Sequence, residues 1–260
     1  MASQIRYYFA IGMTERRRIN LLQQEGVKRV LFSFADFRDA KPSDLSSFPE
    51  VLIDSGAFST AKSGTEISIN AYSLWLRIYL KDLPNVVGYF VYDDLASWEK
   101  TKQNQLVMEG EGLRPIPVYH YGEPSHVLDY YCERYGYVGL GGLAVGQVRA
   151  EALKIFWEWV CAKYPDTHFH ILGSSQFKAF TRYQPYSVDS STWLTDVWGN
   201  LLTLDSDGQP TWNGLPLQRS DGVTNFFNTD EIRAHNVRDL LHLEKMEWVK
   251  DSQIDQRRLL

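Results

Sequence analysis

Short apolar runs recur along the chain, and segments with a helical repeat separate most of them. The runs are Ile5–Ile11, Arg29–Phe34, Val51–Asp54, Val87–Tyr92, Ile116–His120, Tyr137–Leu140, His168–Leu172 and Tyr186–Asp189. They are rich in β-branched and aromatic residues and mostly continuous in apolar character, as strands of a parallel sheet covered on both faces should be. Between them, Leu153, Phe156, Trp157, Val160 and Tyr164 share one face of a helix over Ala150–Tyr164. Ile69–Leu80 and Trp98–Met108 are weaker versions of the same pattern. The repeated alternation predicts an α/β chain folded as one (β/α)8 TIM-type barrel, with an open doubly wound sheet as the alternative.

After the last strand the pattern breaks. Residues 193–227 are rich in Gly, Asp, Asn and Trp and read as an irregular insert. Within it, Leu201–Leu204, an Asp-Gly turn and Pro210–Trp212 predict a hairpin. Asn228 with Glu231 resembles a helix N-cap, so residues 228–260 are expected to be a C-terminal helical segment led by a helix over Ile232–Met246. Residues 1–260 then form a single barrel domain carrying that insert.

Composition adds limits. The chain has 260 residues, 44% hydrophobic and 23% charged, as a soluble globular protein does. Its net charge of −5 means that any basic groove must be local. Arg16–Arg18 and Arg257–Arg258 read as solvated surface charge. Cys132 and Cys161 are far apart and form no ligand pattern, so no metal site is expected and a reducing cytosol is. The N-terminus lacks the features of a signal peptide, and no apolar run is long enough to span a bilayer. A cytoplasmic protein without membrane contact is the expectation.

In a (β/α)8 barrel the active site lies where the strands end. Strand 3 ends in Asp54, strand 4 runs into Asp93-Asp94, and strand 5 ends in His120. Strand 6 runs into Gly141-Gly142-Leu143, strand 7 into Gly173-Ser174-Ser175, and strand 8 ends in Asp189-Ser190-Ser191. Singly, each has an ordinary explanation: an Asp caps a turn, a Gly pair makes one, and a strand-end histidine is commonly structural. Together they form a mouth lined with carboxylates. Such a mouth suits chemistry at a sugar anomeric carbon. One carboxylate attacks C1′, a second manages protons, and negative charge stabilises the oxocarbenium-like transition state. The stretch VLIDSGAFST over Val51–Thr60 fits this use: the strand delivers Asp54, the small-residue turn leaves room for a flat ligand, and Phe58 covers its face.

These motifs, in this order, resemble the tRNA-guanine transglycosylases, the queuine and archaeosine tRNA-ribosyltransferase family. Asp54-Ser55-Gly56-Ala57-Phe58-Ser59 is similar to that family's Asp-Ser-Gly-Gly-Phe-Gln, and Tyr92-Asp93-Asp94 to its Phe-Asp-Glu. Gly141-Gly142-Leu143-Ala144-Val145-Gly146 matches its Gly-Gly-Leu-Ala-Val-Gly turn. Ile171-Leu172-Gly173 and Val188-Asp189-Ser190-Ser191-Thr192 stand where it carries Leu-Met-Gly and the nucleophile segment. The resemblance implies a (β/α)8 barrel that exchanges guanine in a nucleic acid for a 7-deazaguanine, without a cofactor. It makes Asp189 the nucleophile at C1′ and Asp54 the second carboxylate, which contacts the base and handles protons. It assigns Asp93 to the purine's Watson–Crick edge, Gly142 and Leu143 to the exocyclic part of the base, and Phe58 to stacking. His120 stands where bacterial members carry a base-contacting Gln.

The chain also departs from the family. The Cys-x-Cys-x-x-Cys…His zinc site is absent, and residues 193–227 take its place. Gln147 replaces a usual Glu, and the Pro-Thr-Arg ending after the nucleophile is missing. A short chain without the zinc subdomain resembles the deoxypurine-in-DNA branch, which favours DNA over tRNA as the partner of a guanine or 7-deazaguanine base. A homodimer or an accessory protein partner is compatible with either. Because the protein is acidic, its phosphate contacts must be concentrated, and Arg149, Lys178, Arg182 and Arg219 are the candidates. Trp193, Trp198 and Trp212 are candidates for stacking on flanking bases. Two other readings stand beside this one. A non-catalytic barrel that binds nucleic acid or a partner would have no need of both Asp54 and Asp189. A glycoside hydrolase fits the Phe and the Gly-Gly-Leu turn less well than a purine enzyme does.

Overall fold

The computed structural model describes residues 5–11, 16–37, 45–57, 67–143, 150–174, 180, 183–194, 200–204, 210–214, 219–220, 223–224 and 229–244. Its centre is one sheet of eight parallel strands: β1 (Arg6–Ile11), β2 (Arg29–Ser33), β3 (Glu50–Asp54), β4 (Val86–Tyr89), β5 (Val118–His120), β6 (Tyr137–Gly141), β7 (His168–Ile171) and β8 (Ser187–Ser190). All eight expected strands are present. The expected starts and ends move most around β4 and β5. Pro115 and Pro117 have no N–H to give to a ladder, so regular pairing of β5 begins only at Val118.

The strand order is β4-β3-β2-β1-β8-β7-β6-β5, so β1 pairs with both β2 and β8. The sheet is strongly curled. The Phe90 ring, just past β4, lies 5.0 Å from the His170 ring on β7. In a flat sheet the five strand steps between β4 and β7 would hold them about 24 Å apart. The two outer strands also meet. Phe90 and Ile116 form a parallel bridge, Ile116 N donates to Tyr89 O at 2.8 Å, and Val91 N donates to Ile116 O at 2.9 Å. This α/β sheet is consistent with a (β/α)8-like fold.

Helices α1 (Arg16–Gln24), α2 (Phe34–Phe37), α3 (Ile69–Tyr79), α4 (Trp98–Gly110), α5 (Ser125–Arg134), α6 (Ala150–Lys163) and α7 (Thr229–Leu243) complete the described core. Helix α6 follows the expected apolar face, with Leu153, Trp157 and Val160 buried. Trp157 packs edge-on against Phe169 of β7 and donates from Nε1 to Tyr183 O at 2.6 Å. Deleting such a buried indole costs about 3–5 kcal/mol.

Helix α4 shows why its apolar repeat is weak. Its buried face is largely polar: Thr101, Asn104, Gln105 and Met108. Those side chains hold the loops that flank it. Asn104 Nδ2 donates to Tyr92 O at 2.7 Å, Gln105 Nε2 to Pro115 O at 2.9 Å, and Asp94 N to Thr101 Oγ1 at 2.8 Å. Ser97 caps the helix by accepting from Lys100 N at 3.2 Å. The segment that carries Asp93 is thereby fixed at both ends.

After β8 the expected hairpin is present as β9 (Asn200–Leu204) paired antiparallel with β10 (Pro210–Gly214); β11 (Arg219–Ser220) and β12 (Val223–Thr224) form a second small ladder. The closing helix is α7, and the expected cap Asn228 lies outside the described residues. No helix among the described residues is long and apolar enough to cross a membrane.

Candidate active site

The parallel sheet brings Asp54, Asp93, His120, the Gly141-Gly142-Leu143 turn, Gly173 and Asp189 to one end, where the strands finish. The first piece is the turn after β3. Gly56 N donates to Asp54 Oδ2 at 2.9 Å, so the carboxylate folds over its own turn. Gly56 has φ 81, and a Cβ there would sit 2.3 Å from Ala35 Cβ and 2.6 Å from Ser33 Oγ. Both backbone conformation and space therefore demand glycine. The turn also buries Ser55, whose Oγ accepts from Ala57 N at 3.3 Å and donates to Asp93 Oδ1 at 3.0 Å.

Asp93 and Asp94 part company. Asp94 turns outward to cap the loop before α4, accepting from Ala96 N at 2.9 Å and Ser97 N at 3.1 Å and pairing with Lys100 at 2.7 Å. The Lys100 bond lowers its carboxyl below the usual range. Asp93 turns inward, is 9% exposed, and meets His120 Nε2 at 3.0 Å with its Oδ2. His120 Nδ1 lies 3.1 Å from Glu123 Oε1. Burial pulls the imidazole down, but the bonds to Asp93 and Glu123 outweigh it and raise His120 to about 9. At neutral pH it is an imidazolium that donates from both nitrogens. Gly141 makes room for it, since a Cβ there would lie 2.7 Å from His120 Cδ2. Gly142 has φ 74 and turns the chain beside Tyr121.

Asp189, 5% exposed, is held from β7. Its Oδ1 accepts from Gly173 N at 2.9 Å and from His170 Nε2 at 3.0 Å. Electrostatics tie the three carboxylates into one unit. Burial first, then the charges of Asp93 and Asp189, push Asp54 up to about 7, against the pull of the Gly56 N–H. A carboxyl titrating there can both give and take a proton at neutral pH.

Of the candidate residues, Asp54, Asp93, His120, Gly142, Leu143 and Asp189 thus gather at one mouth, with Leu143 buried as a side chain. Phe58, Arg149, Lys178, Arg182 and Trp198 lie outside the described residues, and Arg219 and Trp212 are described as backbone in β11 and β10 only. One expectation is corrected. Trp193 is 0% exposed, packs on Phe9 at 6.4 Å and donates from Nε1 to Ala10 O at 3.0 Å, so it is core and offers no face to a base. Sequence reasoning missed Glu123 and His170. A signal for His170 existed in the period-2 strand pattern, because Ser187 and Asp189 share one face of β8 and His170 pairs with Ser187 in register. The chain matches no protein-family model and no curated protein.

Proposed function

We propose that this chain is a (β/α)8-barrel transglycosylase that exchanges guanine in nucleic acid for a 7-deazaguanine base, acting on DNA in preference to tRNA. Closure of the sheet between β4 and β5 is supported by the Phe90–Ile116 bridge. The observation that carries the reaction is the contrast between two carboxylates at one mouth. Asp189 is anchored by a backbone N–H and an imidazole, as a nucleophile should be, while Asp54 is raised to about 7, as a proton carrier should be.

In the first half-reaction a carboxylate oxygen of Asp189 bonds to C1′ as the C1′–N9 bond breaks, and Asp54 gives its proton to the departing guanine. In the second, Asp54 takes the N9 proton of the incoming base. That nitrogen then attacks C1′ and releases Asp189. Two displacements restore the original configuration at C1′. Asp93, oriented by Ser55 and His120, is the acceptor for the N–H groups of the base's Watson–Crick edge. DNA is favoured because two distant cysteines cannot build the thiolate zinc site carried by the tRNA-acting members that the sequence resembles. The target base must leave the stack at a cost of about a few kcal/mol, so single-stranded DNA should react faster than duplex.

The test offers labelled guanine with single-stranded DNA, duplex DNA and tRNA in parallel. Label should enter DNA first. Incorporation into tRNA alone would move the substrate, and no incorporation into any of the three, with purified folded protein, would overturn the reaction.

A further inference from the structure

His170 is fully buried on β7, inside the curl of the sheet, and the exchange reaction as written makes no chemical use of it. The rings of Phe90 at 5.0 Å and Tyr8 at 6.0 Å wall it, and Tyr137 stands at 6.4 Å. Both its nitrogens are nevertheless engaged. Nε2 lies 3.0 Å from Asp189 Oδ1, and Nδ1 lies 2.7 Å from Ser187 Oγ. Ser187 Oγ in turn lies 2.6 Å from the Tyr137 hydroxyl.

The donors along this chain can be ordered. An ionised Asp189 only accepts, so Nε2 carries a proton. With that proton on Nε2, Nδ1 faces the Ser187 hydroxyl as its acceptor. Ser187 Oγ then accepts from Tyr137, whose phenol burial pushes well above its ordinary value, so that it stays an O–H donor. Every bond points the same way: Tyr137 O–H to Ser187, Ser187 O–H to His170 Nδ1, and His170 Nε2–H to Asp189. Both of the protein's hydrogen bonds to Asp189 among the described residues end on Oδ1.

The geometry points to His170 as a positioning residue that, set in its neutral Nε2–H tautomer by Ser187 and Tyr137, pins Oδ1 of Asp189 and leaves Oδ2 as the atom that attacks C1′. This rests on the nucleophile assigned above. Pinning one oxygen removes the rotational freedom of the carboxylate, and a small misplacement of a reacting atom is kinetically costly.

The experiment has two arms. In the first, 15N NMR of the free protein reads the His170 tautomer and needs no substrate. The Nε2–H form is expected in the wild type, with a shift toward mixed tautomers in Ser187→Ala and Tyr137→Phe. An Nδ1–H or doubly protonated ring at pH 7 would overturn the inference. In the second arm, base exchange is measured in His170→Phe and His170→Gln, with unfolding monitored by circular dichroism. His170→Phe should lower kcat by about 100-fold with KM nearly unchanged, the scale of a 1 Å misplacement. His170→Gln keeps a terminal N–H donor near the Nε2 position and should recover most of kcat. If a folded His170→Phe exchanges bases at the wild-type rate, or Gln rescues no better than Phe, the inference fails while the reaction stands. A wild type that exchanges nothing overturns the reaction, and the NMR arm still decides the tautomer.

Discussion

The two ends of the curled sheet hold the same kind of charge in opposite ways. Where the strands begin, Glu50 and Glu244 converge on Arg29, at 3.2 and 3.0 Å, with Arg6 4.0 Å from Glu50. Tyr8 adds its hydroxyl to Glu50 at 3.2 Å, and Tyr7 N donates to Glu244 at 3.1 Å. Glu244 follows α7, so this cluster ties the last described helix to the first strands. Burial keeps the Glu244 carboxyl above its ordinary value even beside Arg29. Where the strands end, Asp54, Asp93 and Asp189 meet amides, a hydroxyl and two histidines. Among the described residues no Lys or Arg forms an ion pair with any of them. The first end is arranged to be neutral and closed. The second, where the His120 imidazolium is the one cation bonded to these carboxylates among the described residues, keeps a net negative charge, which costs stability and suits a site where positive charge develops in the transition state.

Removing the carboxylate proposed as nucleophile should break the comparison most sharply. Asp189→Asn is expected to reduce base exchange on the order of 10⁴-fold or more, as loss of other covalent nucleophiles does. Because it removes a like charge from beside Asp54 and Asp93, thermal stability should hold or rise. A variant that keeps near-normal turnover would show that another group attacks C1′.

The opposite response is expected at the other end. Arg29→Met leaves Glu50 and Glu244 without their shared cation. The side chains retain some solvent contact, so the loss should be about 2–3 kcal/mol, below the 3–5 typical of a fully buried pair. Denaturant unfolding reads the loss, and kcat of the folded fraction should not change. If stability is untouched while activity falls, the two ends are not separable.

That separation was only half legible in the sequence. The eight strands stood out because their outward residues are largely apolar, and several of them, such as Phe9, Ile53 and Phe169, are buried. The carboxylates at the strand ends were legible for a similar reason, since each interrupts an apolar run. The inward set was hidden. Arg6, Tyr8, Glu50 and His170 sit singly between apolar neighbours, Arg29 follows Lys28 at the start of its strand, and their partners are remote in the chain: Arg29 and Glu244 are 215 residues apart. No local pattern announces such a pairing. Trp193 misled in the other direction, because a tryptophan in a Gly- and Asp-rich stretch looks exposed until its N–H is seen to reach back to Ala10.

A pH series sharpens the contrast further. Asp54 titrates near 7 in the folded chain and near 4 when unfolded, so between those values the folded state binds more protons and stability falls as pH rises. His120 slopes the same way at higher pH. Its folded value is about 9 against 6.5, so its pairing with Asp93 and Glu123 is fully present below about 6.5 and lost as pH rises through 9. Thermal stability should therefore decline from about pH 4 to pH 9. Asp54→Asn should flatten the lower limb, and His120→Gln the upper one. A stability curve that rises between pH 4 and 7 and is unchanged by Asp54→Asn would contradict the placement of these groups.

The smallest effect should come from the residue beside Asp93. Asp94 is its immediate neighbour, yet its oxygens serve Ala96 N, Ser97 N and Lys100, all in the turn that starts α4. It behaves as a capping residue, and losing such a cap costs about 1 kcal/mol. Asp94→Ala should lower the unfolding midpoint slightly and leave kcat and KM for base exchange unchanged, whereas Asp93→Ala should raise KM for the base by removing the acceptor that Ser55 and His120 orient. The pair of variants, measured side by side with free guanine and with DNA, asks whether the inward turn of one carboxylate and the outward turn of the next divide function from structure within two residues. Equal losses of base binding in both would show that the Asp94 turn also shapes the mouth, and the boundary would then lie further out, toward α4.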